Sequence, residues 1–152
     1  MATQKVWRWA AVLLGAIATG VEAAEVRLVL RRGDRQVVVY RGEAVQARYP
    51  VAVGKRGWET PLGRFAVQRL QKNPIWQNPW TNQIVPAGAK NPLGSRWIGF
   101  WSDGRNDIGF HGTPDRASVG QAASHGCVRM LEPDIQALFE VVQLGTPVEV
   151  VP

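Results

Sequence analysis

Residues 108–130 read IGFHGTPDRASVGQAASHGCVRM, and this stretch contains both histidines and the only cysteine of the 152-residue chain. A cysteine becomes a good nucleophile when a neighbouring base or cation lowers the pKa of its thiol and holds it in place. His125 and Cys127 are two residues apart, so on an extended segment both side chains would point to one face. His111 has to approach through the fold, from the end of the strand before it. The spacing alone leaves either histidine as the base.

Glycines flank the histidine and the cysteine: Gly112 follows His111, and Gly126 precedes Cys127. Gly126 would allow a sharp backbone turn, so that N–H groups around Cys127 converge on a developing oxyanion. The same residues are also compatible with an inert, buried cysteine. A third interpretation is a catalytic zinc site formed by His111, His125 and Cys127.

The rest of the chain predicts short strands joined by tight turns, in keeping with 16 glycines and 10 prolines. Residues 25–30 and 36–40 flank a Gly33-Asp34 turn, which predicts a β-hairpin. Residues 45–53 predict a third strand, which Pro50 restricts to a sheet edge or a bulge. Further strands are predicted at residues 64–70, 96–101, 108–110 and 148–151.

One helix and one long loop complete the predicted elements. Pro133 suits the first helical position, and Asp134 suits the positive end of the helix dipole. An apolar stripe with helical spacing follows, formed by Ile135, Leu138, Phe139 and Val142. Residues 72–95 are rich in Pro, Asn and Gly, which is typical of a functional or mobile loop.

The composition excludes several classes of protein. Hydrophobic residues make up 45% and charged residues 20% of the chain, as in an average soluble globular domain. This excludes a disordered chain, a collagen-like fibre and a multi-span membrane protein. We expect one mainly β domain with a helix packed on a sheet.

The N-terminus predicts export. Residues 1–23 resemble a secretory signal peptide, with a basic start at Lys5 and Arg8, an apolar segment at residues 9–18 and small residues before a cut after Ala23. The apolar segment is too short to span a bilayer, which needs about 20 residues. Removal of the peptide, with its Glu22, changes the net charge from +6 to +5 and leaves a domain of residues 24–152. We expect an exported, cationic domain with an anionic partner and no affinity for nucleic acid.

Two segments of the stretch, IGFHGT at residues 108–113 and SHGCVRM at residues 124–130, resemble the active-site signature of the L,D-transpeptidase (YkuD-type) catalytic domain family. Residues 60–65 (TPLGRF), residues 91–94 (NPLG) and the pair Pro74 and Trp76 are similar to further elements of that family. The resemblance extends over residues 26–151. It implies a mainly β, sandwich-like fold with mixed sheets, one short helix packed on a sheet and a long substrate-covering loop.

The resemblance also implies a reaction, acyl transfer at a peptidoglycan stem peptide. Cys127 would be the nucleophile and His111 the base, with the backbone carbonyl of Gly112 orienting the imidazole and Gly126 contributing to the oxyanion hole. The expected substrate contacts are Arg129, His125, Ser124 and Trp76. Arg129 would bind a carboxylate in a bidentate fashion, although a structural contact with Asp115, Glu132 or a chain carbonyl fits nearly as well.

Several expectations complete the prediction. No metal or cofactor is required, and the domain is expected to be a monomer in the periplasm or cell wall, where it contributes to peptidoglycan cross-linking. The alternatives are a cysteine hydrolase on the same fold, which trims stems, and a non-catalytic wall-binding module. Four tryptophans are candidates for lining a glycan or stem groove, the last two being equally compatible with a core position: Trp76, Trp80, Trp97 and Trp101.

Overall fold

A computed structural model describes residues 23–152 of the protein. Apart from Ala23, the predicted signal peptide lies outside the described residues. The strands are β1 (Val26–Arg31), β2 (Gln36–Arg41), β3 (Ala44–Pro50), β4 (Val53–Gly54), β5 (Gly63–Ala66), β6 (Arg69–Lys72), β7 (Trp76–Gln77), β8 (Ile84–Val85), β9 (Arg96–Ser102), β10 (Asp107–His111), β11 (Ala122–Ser124), β12 (Val128–Arg129) and β13 (Pro147–Val151). A short 3-10 turn spans Arg116–Ser118, and the helix α1 spans Glu132–Val141.

Two mixed sheets carry most of the described chain. The first has the strand order β3-β2-β1-β13-β5, in which only β1 and β13 run parallel. The second has the order β12-β10-β9-β6, in which only β10 and β12 run parallel. Two small pairs, β4 with β11 and β7 with β8, complete the strands. The predicted mainly β class with mixed sheets and one helix is confirmed.

The core lies where apolar side chains of both sheets and of α1 meet. Strand alternation directs Leu28 and Leu30 of β1 inward, and both are buried. On α1 the inward positions are Ile135 and Leu138, also buried. Other members of the same cluster include Val37, Val39, Val51, Ile98, Phe100, Phe110, Val128, Met130, Val148 and Val150.

Two strands that the sequence predicts as continuous are divided in the structure. Residues 64–70 form β5 in the first sheet and β6 in the second, because the chain changes sheet between them. At this point the Val67 N–H donates to Thr146, and the Gln68 N–H donates to Gly99. Residues 45–53 likewise divide at Pro50 into the edge strand β3 and the short β4.

The remaining elements differ from the prediction in smaller ways. Helix α1 begins at Glu132, one residue before the predicted Pro133. The long loop of residues 72–95 contains the β7–β8 hairpin, in which Trp76 pairs with Val85. Among residues 23–152, no helix has the length and apolar character needed to cross a bilayer.

Candidate active site

The second sheet brings the two ends of the histidine-cysteine stretch together. Strand β10 runs parallel to β12, with Phe110 opposite Val128 and His111 opposite Arg129. Phe110 and Val128 are both fully buried in the core. Since side chains alternate along a strand, His111 and Arg129 belong to the opposite face of the sheet, and so does Cys127 immediately before β12.

Cys127 is half-buried, and its thiol lies against the backbone of β10. The Sγ atom is 3.6 Å from the carbonyl oxygen of Asp107. Burial raises the pKa of the Cys127 thiol, while the N–H of Gly109 and the charge of Arg129 act in the opposite direction. The thiol is therefore protonated at neutral pH, and nucleophilic attack requires a base.

His111 is buried, and its ring is fixed from two sides. The Nδ1 atom contacts the carbonyl oxygen of Gly112, and the ring stacks on Trp97 with 6.0 Å between centroids. A carbonyl accepts but cannot donate, so Nδ1 carries the proton of the neutral ring and Nε2 is left as the acceptor. Burial lowers the pKa of His111 to about 4, and Arg129 adds to this effect against the opposing Gly112 carbonyl.

The turn that presents Cys127 is closed by Ser124. The Ser124 hydroxyl donates to the carbonyl of Cys127 and accepts the N–H of Gly126 at 3.1 Å. Gly126 has φ +118, and a side-chain carbon there would come within 3.2 Å of Ile108. The turn therefore requires glycine at this position. Ser124 is buried, with its hydroxyl directed into the turn.

A buried threonine joins this turn to the loop between β4 and β5. The Thr60 hydroxyl donates to the carbonyl of Gly126 at 2.8 Å and accepts the N–H of Gly54 at 3.1 Å. Thr60 is completely buried. The sequence analysis named Thr60 only within the TPLGRF segment that resembles the family, because a contact 66 residues away leaves no local signal.

The carboxylate of Glu132 packs against the backbone of Gly112. Glu132, in the first turn of α1, accepts hydrogen bonds from the Ser95 backbone N–H at 3.2 Å and from the Ser95 hydroxyl at 2.6 Å. A side-chain carbon at Gly94 or at Gly112 would overlap the same carboxylate oxygen. Glycine at both positions thus allows the residue 91–95 segment, α1 and the backbone beside His111 to pack together.

His125 lies on the surface, in contact with two tryptophans from separate loops. Its ring centroid is 4.8 Å from that of Trp58, in an edge arrangement, and 4.9 Å from that of Trp80. Desolvation lowers the pKa of His125, and Lys55 and Arg129 lower it further. Because Gly126 turns the chain, His125 is exposed while Cys127 is half-buried, so the extended arrangement that would place both on one face is not formed.

The other predicted substrate contacts lie in different surroundings. Arg129 is half-buried, with its guanidinium 3.8 Å from the carboxylate of Asp115, one of the structural partners considered for it. Trp76 is half-buried in the β7–β8 hairpin, and Trp80 is the tryptophan of this loop that contacts His125. Trp97 is a buried residue beside His111, and Trp101 packs against the core.

The structure does not group the candidate zinc ligands into a cluster. Within residues 23–152, no set of three or more His, Cys, Asp or Glu side chains is placed to hold a metal ion.

Comparison with known proteins places nearly all of the described chain in one family. The YkuD family model, the L,D-transpeptidase catalytic domain, matches residues 25–150. A Bacillus subtilis (strain 168) protein named as an L,D-transpeptidase, YqjB, is 34% identical over 123 residues, which cover 80% of this chain and 68% of that protein.

Solved structures share the fold at low sequence identity. L,D-transpeptidase 3 from Mycobacterium tuberculosis aligns with a TM-score of 0.71 at 16% identity, covering 85% of this chain and 62% of that one. The LD transpeptidase LdtMt1 in complex with imipenem aligns with a TM-score of 0.66 at 21% identity, covering 84% and 59%. The chain thus spans about three-fifths of these solved chains.

The family match, the similarity to YqjB and the shared fold agree on one family. The chain belongs to the YkuD family of L,D-transpeptidase catalytic domains.

Proposed function

We propose that the protein is an exported cysteine acyltransferase that cross-links peptidoglycan stem peptides, with Cys127 as nucleophile and His111 as general base. The observation that supports the proposal is the parallel pairing of β10 with β12, from whose side-chain alternation we infer that both residues share one face, together with the contact between Nδ1 of His111 and the Gly112 carbonyl. This leaves Nε2 to receive a proton.

The proton balance follows from the two environments. Burial keeps Cys127 as a thiol and His111 as a neutral imidazole, so the resting pair carries no charge. The thiol proton passes to Nε2 of His111 as sulfur attacks the carbonyl of the third stem residue, a diamino acid. Collapse of the tetrahedral intermediate breaks the amide bond, and the terminal D-alanine leaves with that proton on its amine.

The resulting thioester is resolved by a second stem. Its side-chain amine attacks the thioester carbonyl, gives up a proton to His111 and restores the Cys127 thiol. One amide is broken and one is formed, so no external energy source is needed. This suits an exported enzyme, which has no access to ATP, and agrees with the signal peptide predicted at residues 1–23 and the domain predicted at residues 24–152.

The neighbouring groups have supporting roles in this proposal. The Gly112 carbonyl orients His111 in place of the carboxylate of a serine triad. Ser124 stabilises the turn that carries Cys127. The N–H of Gly126 donates to the oxyanion once its hydrogen bond to the Ser124 hydroxyl is broken. Arg129 binds a stem carboxylate, which takes the place of the Asp115 carboxylate 3.8 Å from its guanidinium.

Product analysis tests the proposed reaction. The protein is incubated with purified tetrapeptide stems, and the products are separated and weighed by mass spectrometry. A cross-linked dimer with release of D-alanine is the expected result, with Cys127→Ala as the inactive control. A shortened monomer would instead identify a hydrolase, and unchanged stems would identify a binding module.

A further inference from the structure

The surface beside Cys127 carries an aromatic platform, defined here as Trp58, His125 and Trp80. The two indoles come from different loops and meet the same imidazole at 4.8 and 4.9 Å. Their side chains are nevertheless 49% and 62% exposed, so they are not core residues. Apolar ring surface held in water without a folding role indicates a surface that is covered during function.

Both tryptophans are held by ordered turns. The N–H of Trp58 donates to the Lys55 carbonyl at 2.8 Å, and its loop is attached to the nucleophile turn through Thr60. The N–H of Trp80 donates to the Asn78 side chain at 2.9 Å. A ligand of this platform would meet preorganised rings, which reduces the entropy lost on binding.

The charges around the platform restrict the ligand. The backbone N–H of Lys55 donates to the carbonyl of Ser124 at 2.9 Å, and the charges of Lys55 and Arg129 both act on the His125 ring. Two cations disfavour a cationic ligand, although exposed indoles would otherwise attract one. Flat apolar faces bordered by positive charge suit a neutral or anionic molecule with a C–H-rich ring face, such as a hexopyranose.

The distance to Cys127 agrees with a sugar attached to the substrate. The Cα atoms of His125 and Cys127 are at most about 7 Å apart, and the ring centroid of Trp80 is 4.9 Å from that of His125. In peptidoglycan, a lactyl group and two amino acids separate the sugar ring from the third stem residue. Three such units span up to about 11 Å, which is comparable to the upper limit of that separation, so a sugar at the platform is compatible with the third residue at the thiol.

We propose that the aromatic platform is a stacking site for a hexopyranose ring of the glycan strand, so that the donor stem is bound while attached to its sugar. This inference rests on the proposed function, because it names the form in which that substrate is taken.

The kinetic test compares two donors, a disaccharide tetrapeptide and the same tetrapeptide without sugar. The wild type is expected to show a kcat/KM about tenfold higher for the disaccharide form, because the stacking of one sugar ring on an indole corresponds to about that factor in binding. Trp58→Ala and Trp80→Ala should each reduce this ratio to about twofold or less, and Trp80→Phe should retain part of it. Ile84→Ala is the matched control, because this residue is 65% exposed in the same loop and should keep the full ratio.

A binding measurement separates failure of this inference from failure of the proposed function. Addition of the peptide-free disaccharide should shift the indole N–H signals of Trp58 and Trp80 in the NMR spectrum, whether or not the protein turns over any stem. Absence of these shifts, equal use of both donors by the wild type, or an unchanged ratio in the alanine variants would each overturn the stacking site. Shifts with an aromatic peptide but not with the disaccharide would also overturn it, by indicating a protein partner.

Discussion

Protonation of His111 should destabilise the folded protein in mild acid. The ring is buried, and burial lowers its pKa from 6.5 to about 4 in the folded state. The unfolded chain therefore binds this proton more tightly than the folded chain does. The stabilisation associated with neutral His111 is fully present above pH 6.5, and it is lost as the pH falls from 6.5 towards 4.

The size of the effect follows from the shift. One pKa unit corresponds to about 1.4 kcal/mol, so the free energy of unfolding should fall by about 3 kcal/mol across this window because of His111. The assay is urea unfolding at half-unit pH steps between 7.5 and 4, for the wild type and for His111→Gln. Carboxylates titrate in both proteins, so the difference between the two curves isolates the histidine.

The wild-type curve should drop more steeply than the variant curve, with nearly all of the difference developing below pH 6.5. Parallel curves would refute the reasoning, because they would show that the imidazole of His111 is equally easy to protonate in both states. A steeper drop in the variant would mean that His111 is charged in the folded protein.

Further expected outcomes concern Cys127, the two histidines and Thr60. Cys127→Ala should abolish turnover and leave the melting temperature nearly unchanged, and residual turnover would end the nucleophile assignment. His111→Ala should lower kcat by about 10²–10⁴-fold, and His125→Ala should lower it far less; equal losses in steady-state assays would mean that the base is misassigned. Thr60→Val leaves the Gly126 carbonyl and the Gly54 N–H without their buried partner, so urea unfolding should show a loss of about 2–4 kcal/mol. The exposed Thr81→Val is its control, and a loss of the same size there would contradict the explanation.

Local patterns predicted the fold wherever the determining interactions are local. The hairpin of β1 and β2 follows from a Gly-Asp turn between apolar runs, and α1 follows from Pro133 and its apolar stripe. The division of residues 64–70 between two sheets was missed, because the hydrogen bonds of Val67 and Gln68 go to distant strands. The two-residue β12 was missed because it is too short to show a period.

The same distinction applies to the candidate site. His111 and Cys127 could be singled out because the chain has one cysteine and two histidines, close together in sequence. The roles of Thr60 and Glu132 could not be predicted, because Thr60 bonds a residue 66 positions away and Glu132 bonds one 37 positions away. Trp58 has no distinguishing pattern in the sequence, and only the folded loop shows that it contacts His125.

The most direct test of the central claim is an intact-mass measurement after exposure to imipenem. A thiol that reacts with carbonyls by nucleophilic attack should open the β-lactam ring and retain the whole molecule as an acyl group. We expect the mass of one imipenem to be added to the wild type at Cys127, and no addition to Cys127→Ala. An unmodified wild type whose Cys127 still reacts with a small alkylating agent would contradict the account.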